Sequence, residues 1–504
     1  MSIRFVSNDP AAHPRVEGQK PPTPAPGGQR ARFSYSRSDP EAVYPNDDDP
    51  EFVYWQCQEA AHQALSIWDA LAGPLRSWQN GQRALAVNID QGLGLQALYD
   101  RTQISFYRFD LTQPETYVAA SSDAVAHEVG HAVLDAIRPD LWNSLLPEVA
   151  AFHEGFADCI ALLVTLFDAD QRSMMISQAV DPASVLQGNN SVGAISESVA
   201  NAFAAFYPQG DPRTLPRQCN NTLQWALPSS LPGHAPGNHL SREPHSFGRL
   251  FAGCFFSLIR NLYEGSGVHD EQGLLVAANL AGQLLVDAVK VVPQQPRFFQ
   301  AVGRSMILID EDRSAGNNHL SIRDAFNAHG IALGSSAMLA PSVPLDGPAP
   351  SVNARGASST ALVPQARHGL CDVLGTPRST PISLMPVKFG RRKFSRGRFS
   401  REISLAALGH RLKGVSARVR EDVLLGKSLR KAALLGHIPN AEVTHREVMA
   451  LVTCLLDTGC IHGMKPLQKL KGRFRKGVRE LPTHSIRKQG NARRIRRLRF
   501  SCCG

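Results

Sequence analysis

The chain has 504 residues, 43% of them hydrophobic and 19% charged, which supplies a sizeable core and excludes a wholly disordered protein. Its charge is divided: 29 Lys+Arg stand against 7 Asp+Glu from Pro381 onward and 25 against 37 before it, so the overall +10 describes neither part. No run approaches the roughly 18 apolar residues of a membrane span, the N-terminus lacks the apolar stretch of a signal peptide, and nine cysteines lie at no repeating interval; the expectation is a soluble cytoplasmic protein with reduced thiols, non-classical export left open.

In chain order, residues 1–50 are rich in Pro, Gly, Ser and charge and are expected to be disordered. A helix is predicted over 51–73, "EFVYWQCQEAAHQALSIWDALAG", where apolar residues recur at three- and four-residue spacing before a Gly-Pro stop. "RALAVNI" and "LQALYDRTQISFYRFD" are short β-branched and aromatic runs separated by "DQGLG", and read as strands. From Ser121 to Gly334 helical spacing dominates. Strands followed by helices predict an α+β domain over 51–335, with a cleft between a β-rich N-terminal lobe and a mostly helical C-terminal lobe. Residues 336–385 read as a linker by composition, and 386–504 as a basic tail, partly helical or disordered.

The helical half begins with "DAVAHEVGHAVLDAIRP", which holds His127, Glu128 and His131. Residues four apart share a helix face, so the two imidazoles can converge on one ion. Zinc accepts imidazole nitrogen, and Glu128 is placed to take a proton from water at the open position rather than to bind the metal. Small and apolar neighbours mark the helix as buried, where three such polar groups would be costly without a metal or partners. The next helix, "EVAAFHEGFADCIALL", offers a third ligand. The four-residue spacing of Glu154 and Asp158 favours Glu154 as ligand and Asp158 as the group that receives a hydrogen bond from a ligand histidine, with His153 and Glu148 as competitors.

"VAHEVGH" followed by "EGFAD" resembles the gluzincin zinc metallopeptidases, in the thermolysin-like and fungalysin-like branch. "QALYDRTQISFY" is similar to that family's edge strand, "REPHSFGRLF" to the segment with its transition-state histidine, and "IRDAFNAHGI" to its last helix. The resemblance implies a two-lobed zincin fold and peptide-bond hydrolysis with one Zn2+ on His127, His131 and Glu154. It also implies Glu128 as general base, Asp158 as orienter of His127, and His245 as hydrogen-bond donor to the developing oxyanion. Gln96, Ala97 and Tyr99 would hold substrate backbone in β-pairing. Glu243 is a candidate orienter of His245, and Arg213, Arg217, Arg242 and Arg249 are candidates to grip a substrate carbonyl. Three positions depart from the family pattern. Trp142 stands where a tyrosine helps the oxyanion, Gln96 where the gripping residue is asparagine, and Thr165 where an acid would join Asp123 around calcium, which puts Ca2+ in doubt.

The tail resembles no family. Its runs "KFGRRKFSRGRFSR", "KLKGRFRKGVRE" and "RKQGNARRIRRLRF" could neutralise phosphates, so nucleic acid or another anionic surface is a possible partner through residues 386–504 beside the peptide or protein substrate. Two alternatives to a peptidase follow: a zinc-bound but inactive scaffold, motivated by Trp142, and a polyanion-binding protein led by the tail.

Overall fold

The computed structural model describes residues 2–41, 49–79, 81–94, 96–110, 115–188, 190, 192–205, 215–334, 341–348, 362–428, 431–464 and 481–501. Among them the chain is mixed α+β, with eleven α-helices and eighteen strands.

The expectation of disorder over residues 1–50 fails for the part described. β1 (Ile3–Val6) and β2 (Glu17–Lys20) form an antiparallel pair, and β3 (Arg32–Tyr35) joins a sheet. Ile3, Phe5 and Val6 enter the core, and the Gln56 amide bonds both backbone groups of Val6. The Pro- and Gly-rich composition outweighed a four-residue strand that pairs with β2 and packs on α1 (Pro50–Ala72). That helix follows its predicted bounds: Asp49 caps its first turn, Pro50 occupies the first position and Gly73 ends it.

β4 (Ala84–Asn88), β5 (Ala97–Tyr99) and β6 (Gln103–Phe106) are the predicted strands, followed by the short pair β7 (Arg108–Phe109) and β8 (Thr116–Tyr117). The helices then come in succession: α2 (Ser122–Ile137), α3 (Pro147–Phe167), α4 (Ala169–Gln178), α5 (Glu197–Ala204), α6 (Pro244–Gly265), α7 (Glu271–Val291), α8 (Phe298–Ser314) and α9 (His319–Asn327). Two short strands, β9 (Ala194–Ile195) and β10 (Arg217–Gln218), pair within this stretch. Against the expectation that no run approaches a membrane span, helices α3 and α7 are by length and composition apolar enough to cross a membrane. Yet α3 is wholly buried in protein, where His153, Glu154 and Asp158 find partners that lipid would not provide.

The linker and tail also differ from expectation. Within 336–385 lie β11 (Pro341–Pro348), α10 (Pro364–Val373) and the start of β12 (Ser383–Phe389). Beyond them β13 (Arg392–Ser404), β14 (Val415–Ser428), β15 (Lys431–Leu435), α11 (Ala441–Asp457), β16 (His484–Gln489), β17 (Ala492–Arg497) and β18 (Phe500–Ser501) complete the chain. A seven-stranded sheet runs β11-β15-β14-β13-β12, with β17 on β14 and β16 on β17. The basic run that looked unstructured is its first hairpin, turning at Gly390-Arg391. Ser395, Gly397, Phe399, Arg401 and Ile403 alternate inward on β13. Such alternation is hidden when the inward positions are small or charged. Arg401 is satisfied inside by Glu421 and the Leu374 carbonyl. Of the tail expected to be partly helical, "EISLAALGHRLKGV" gives strand ends and two 3-10 turns, whereas "HREVMALVTCLLD" lies in α11. The run at 465–480 lies outside the described residues.

The tail packs on the body. Arg398 bonds Asp140 and Asp422, Asp422 also accepts from Gln294 N, and Glu447 accepts from Ser229. The last strand leaves the tail entirely and joins the body's sheet, whose order is β18-β5-β6-β4-β3.

Candidate metal centre

Three helices supply the centre, and glycine sets how closely they approach. On α2, a Cβ at Gly130 would stand 2.8 Å from the Ala157 Cα of α3; on α6, one at Gly248 would stand 2.8 Å from the Ala151 carbonyl oxygen of the same helix. Both contacts are shorter than real side chains make, so α2 and α6 lie against α3 closely enough for their polar residues to meet.

His127 and His131 come from α2, Glu154 and Asp158 from α3, and His245 from the first turn of α6. Glu154 Oε2 lies 3.5 Å from both His127 Nε2 and His131 Nε2. Two ligands about 2.0–2.1 Å from a tetrahedral ion stand about 3.3–3.4 Å apart, so the spacing suits one zinc. All three atoms are buried and lack a hydrogen-bond partner. The donor set of two imidazoles and a carboxylate fits that ion, and a carboxylate oxygen of Glu128 lies within 4.8 Å of ligand atoms of both histidines.

The remaining atoms orient these three. His127 Nδ1 is 2.8 Å from Asp158 Oδ1, which leaves Nε2 as the bare nitrogen. Asp158 also receives the Arg217 guanidinium at 3.3 Å; despite burial, Arg217 and His127 keep its carboxyl below its ordinary value. His131 Nδ1 meets His153 Nδ1 at 3.1 Å. His153 thus meets the far side of the His131 ring, a contact that sequence spacing could not reveal because it forms across two helices. Burial holds both rings neutral, His131 at about 4 and His153 well below its usual range. Burial pushes Glu154 up, but His245 and His131 outweigh it and keep Glu154 ionised. The other competitor, Glu148, accepts from Trp225 Nε1 and Phe299 N at 2.9 Å each and does not reach the centre.

His245 Nδ1 lies 2.6 Å from Glu243, which also caps α6 through Ser246 N, and its Nε2 lies 3.3 Å from Glu154 Oε2. Burial works to lower His245, but Glu154 and Glu243 raise it to about 10, so it is a charged donor. A cavity of about 160 Å³ beside it is lined by Glu154, Arg217, His245, Arg249, Arg497 and Ser501. Of the arginines considered for a substrate carbonyl, Arg217 is engaged with Asp158, Arg249 bonds the Gly237 and His239 carbonyls, and Arg213 lies outside the described residues.

Ala97 and Tyr99 lie on β5, with buried Gln96 just before it. Trp142, in the turn between α2 and α3, packs edge-on against Tyr99 at 5.6 Å and Phe500 at 5.2 Å, with the Arg101 guanidinium 4.4 Å from its ring centre. Its surroundings are aromatic, and among the described residues no hydrogen bond or ring contact links it to His245. Away from the centre, Asp123 meets Asp9 and Glu197 within 4.8 Å, and Thr165 Oγ1 donates to it at 3.4 Å. Burial raises all three acids, so protons compete with any cation there. Asp9 comes from the segment expected to be disordered, and for that reason sequence reading missed the trio.

No protein-family model matches the chain, and no curated protein matches it.

Proposed function

We propose that the chain is a zinc-dependent metallopeptidase, of the two-lobed thermolysin-like kind, that hydrolyses bonds in a peptide or protein substrate. One observation carries the reading: His127 Nε2, His131 Nε2 and Glu154 Oε2 are buried, lack hydrogen-bond partners and converge at a spacing that suits one tetrahedral ion. Zinc held there supplies Lewis-acid polarisation of the scissile carbonyl and of water. Glu128 takes the proton of the attacking water and delivers it to the leaving amine as the C–O bond forms and the C–N bond breaks. His245 Nε2–H donates to the carbonyl oxygen while negative charge builds on it, and Glu243 keeps that ring charged and aimed. Asp158 and His153 hold the ligand rings in the tautomers that metal binding requires.

Metal analysis with a peptide-library assay tests this. Wild type and Glu128→Gln are expected to hold one zinc per chain, His131→Ala to lose it, and only wild type to cleave peptides in a chelator-sensitive way. A zinc-bound scaffold would hold the metal and cleave nothing.

A second reading concerns the tail. Arg418, Arg420, Arg487, Lys488 and Arg493 are exposed on the neighbouring strands β14, β16 and β17. Besides burial, crowding by Arg420, Arg494 and Arg418 lowers Arg496. This cationic ridge is suited to a polyanion such as nucleic acid. Replacing Arg418, Arg420, Lys488 and Arg493 by Ala is expected to weaken binding to generic nucleic acid and flatten its salt dependence without changing peptide cleavage. Unchanged binding would discard the ridge.

A further inference from the structure

The edge strand implied to hold substrate is already paired by the chain itself. β18 runs antiparallel to β5, with Phe500 opposite Tyr99 and Ser501 opposite Leu98. It follows β17 after two residues, so the tail sheet delivers it to the body. The Phe500 ring stacks on His131 at 4.6 Å and on His153 at 4.0 Å, with the Arg497 guanidinium 3.9 Å from its centre. Arg497 N and Nε donate to Asn143 Oδ1 and the Trp142 carbonyl, which fixes the approach to the cleft. The Ser501 carbonyl oxygen accepts from His245 Nε2 at 2.7 Å, the same nitrogen that stands 3.3 Å from Glu154 Oε2.

A strand serving only to complete a sheet could lie on either edge, and β3 forms the other one. β18 takes the edge beside the metal centre, covers a ligand histidine with its ring, and occupies the nitrogen that the peptidase reading assigns to a substrate carbonyl. A peptide paired to β5 needs the same edge and the same donor, so strand and substrate exclude each other. Among the described residues two register pairs join β18 to β5, which keeps its pairing to β6 when β18 lifts. The Phe500 stack and the His245 bond therefore carry much of the strand's hold, and a peptide can replace both.

We propose that β18 is a built-in competitive inhibitor of the metal centre, and that a peptide enters only in the fraction of molecules whose strand has lifted. The apparent KM is then raised by the inverse of that fraction, while kcat, set after binding, is unchanged.

The inference rests on the peptidase reading, and steady-state cleavage of one library peptide by the zinc-loaded full chain separates the two. Phe500→Gly, with zinc content equal to wild type, is expected to lower KM by about 10–100-fold at unchanged kcat, the gain in open population from giving up the burial of one aromatic ring. A free peptide of residues 492–501, supplied at about mM concentration to match the tether, is expected to inhibit this variant competitively, and the same peptide carrying Phe500→Gly is not. Equal KM in wild type and variant, a change in kcat alone, or a free peptide that inhibits no better than its Phe500→Gly form would overturn the inhibition and leave the peptidase reading standing. If Phe500→Gly loses zinc, Arg497→Ala, which frees the strand from the Trp142 carbonyl, takes its place in the comparison. Zinc lost from both variants would make the strand part of the centre and overturn the inhibition. No cleavage by wild type or either variant with zinc bound overturns both readings.

Discussion

Asp158 and Glu243 touch no reacting atom in this account, yet each sets the state of a histidine that does. Removing the carboxylate behind a ligand imidazole costs orientation and basicity, so Asp158→Asn is expected to weaken zinc binding by about 10–100-fold, measured by competition with a chelator. Unaltered affinity would remove Asp158 from the centre. For His245, Glu154 and Glu243 raise the pKa to about 10 against the effect of burial. A cation on Glu154 offsets that carboxylate's share and leaves Glu243 to hold the imidazolium. The acid form is the donor, so activity is present below the pKa and lost as pH rises through it. Glu243→Gln lowers the pKa, and the alkaline limb of kcat/KM is expected to move to lower pH; an unmoved limb would exclude His245 as the donor. The structure brings together His127, Glu128, His131 and Glu154, which four-residue helical spacings singled out, and His245, which only the family resemblance pointed to. The His131–His153 contact was not legible, since no local pattern encodes a meeting between two helices.

At the scale of elements, the centre depends on how tightly α2 and α6 lie on α3. Gly248→Ala would drive a methyl into the Ala151 carbonyl oxygen and, at 2.9 Å, Glu154 Cβ. Overpacking of this kind costs about 1–3 kcal/mol. Displacement of Glu154 from His127 and His131 is expected to lower hydrolysis by about 10²-fold, because catalytic geometry tolerates about 1 Å. Thermal unfolding and peptide turnover check both; wild-type turnover with lowered stability would show that the close approach serves packing alone. The long helices were legible from three- and four-residue spacing, as in α1, α6 and α7. Strand β13 was not, because its period of two is carried by Ser395, Gly397 and internally paired Arg401 as much as by apolar side chains, and β1 was hidden by the Pro- and Gly-rich composition around it.

For the whole molecule, the split in charge that suggested a separate tail is partly the means of attachment. Arg398 of the tail and Arg138 of the body meet at Asp140, and Asp422 completes the group. Burial alone would raise Asp140, but Arg138 and Arg398 hold it well below the ordinary carboxylate range. A carboxyl depressed on folding contributes stability that is present above its unfolded pKa of about 3.9 and lost as pH falls through the folded value. Acid unfolding is therefore expected to steepen below about pH 4. Asp140→Asn should blunt that dependence and cost about 2 kcal/mol at neutral pH; an acid titration that the variant leaves unchanged would refute the attachment. Composition cannot convey this arrangement, because the partners are more than 250 residues apart in the chain. Peptide cleavage by zinc-loaded wild type beside zinc-loaded Glu128→Gln tests the proposed hydrolytic metal centre. Chelator-sensitive cleavage by wild type and its loss in the variant at equal zinc content are expected; equal cleavage by both would rule out hydrolysis at this centre.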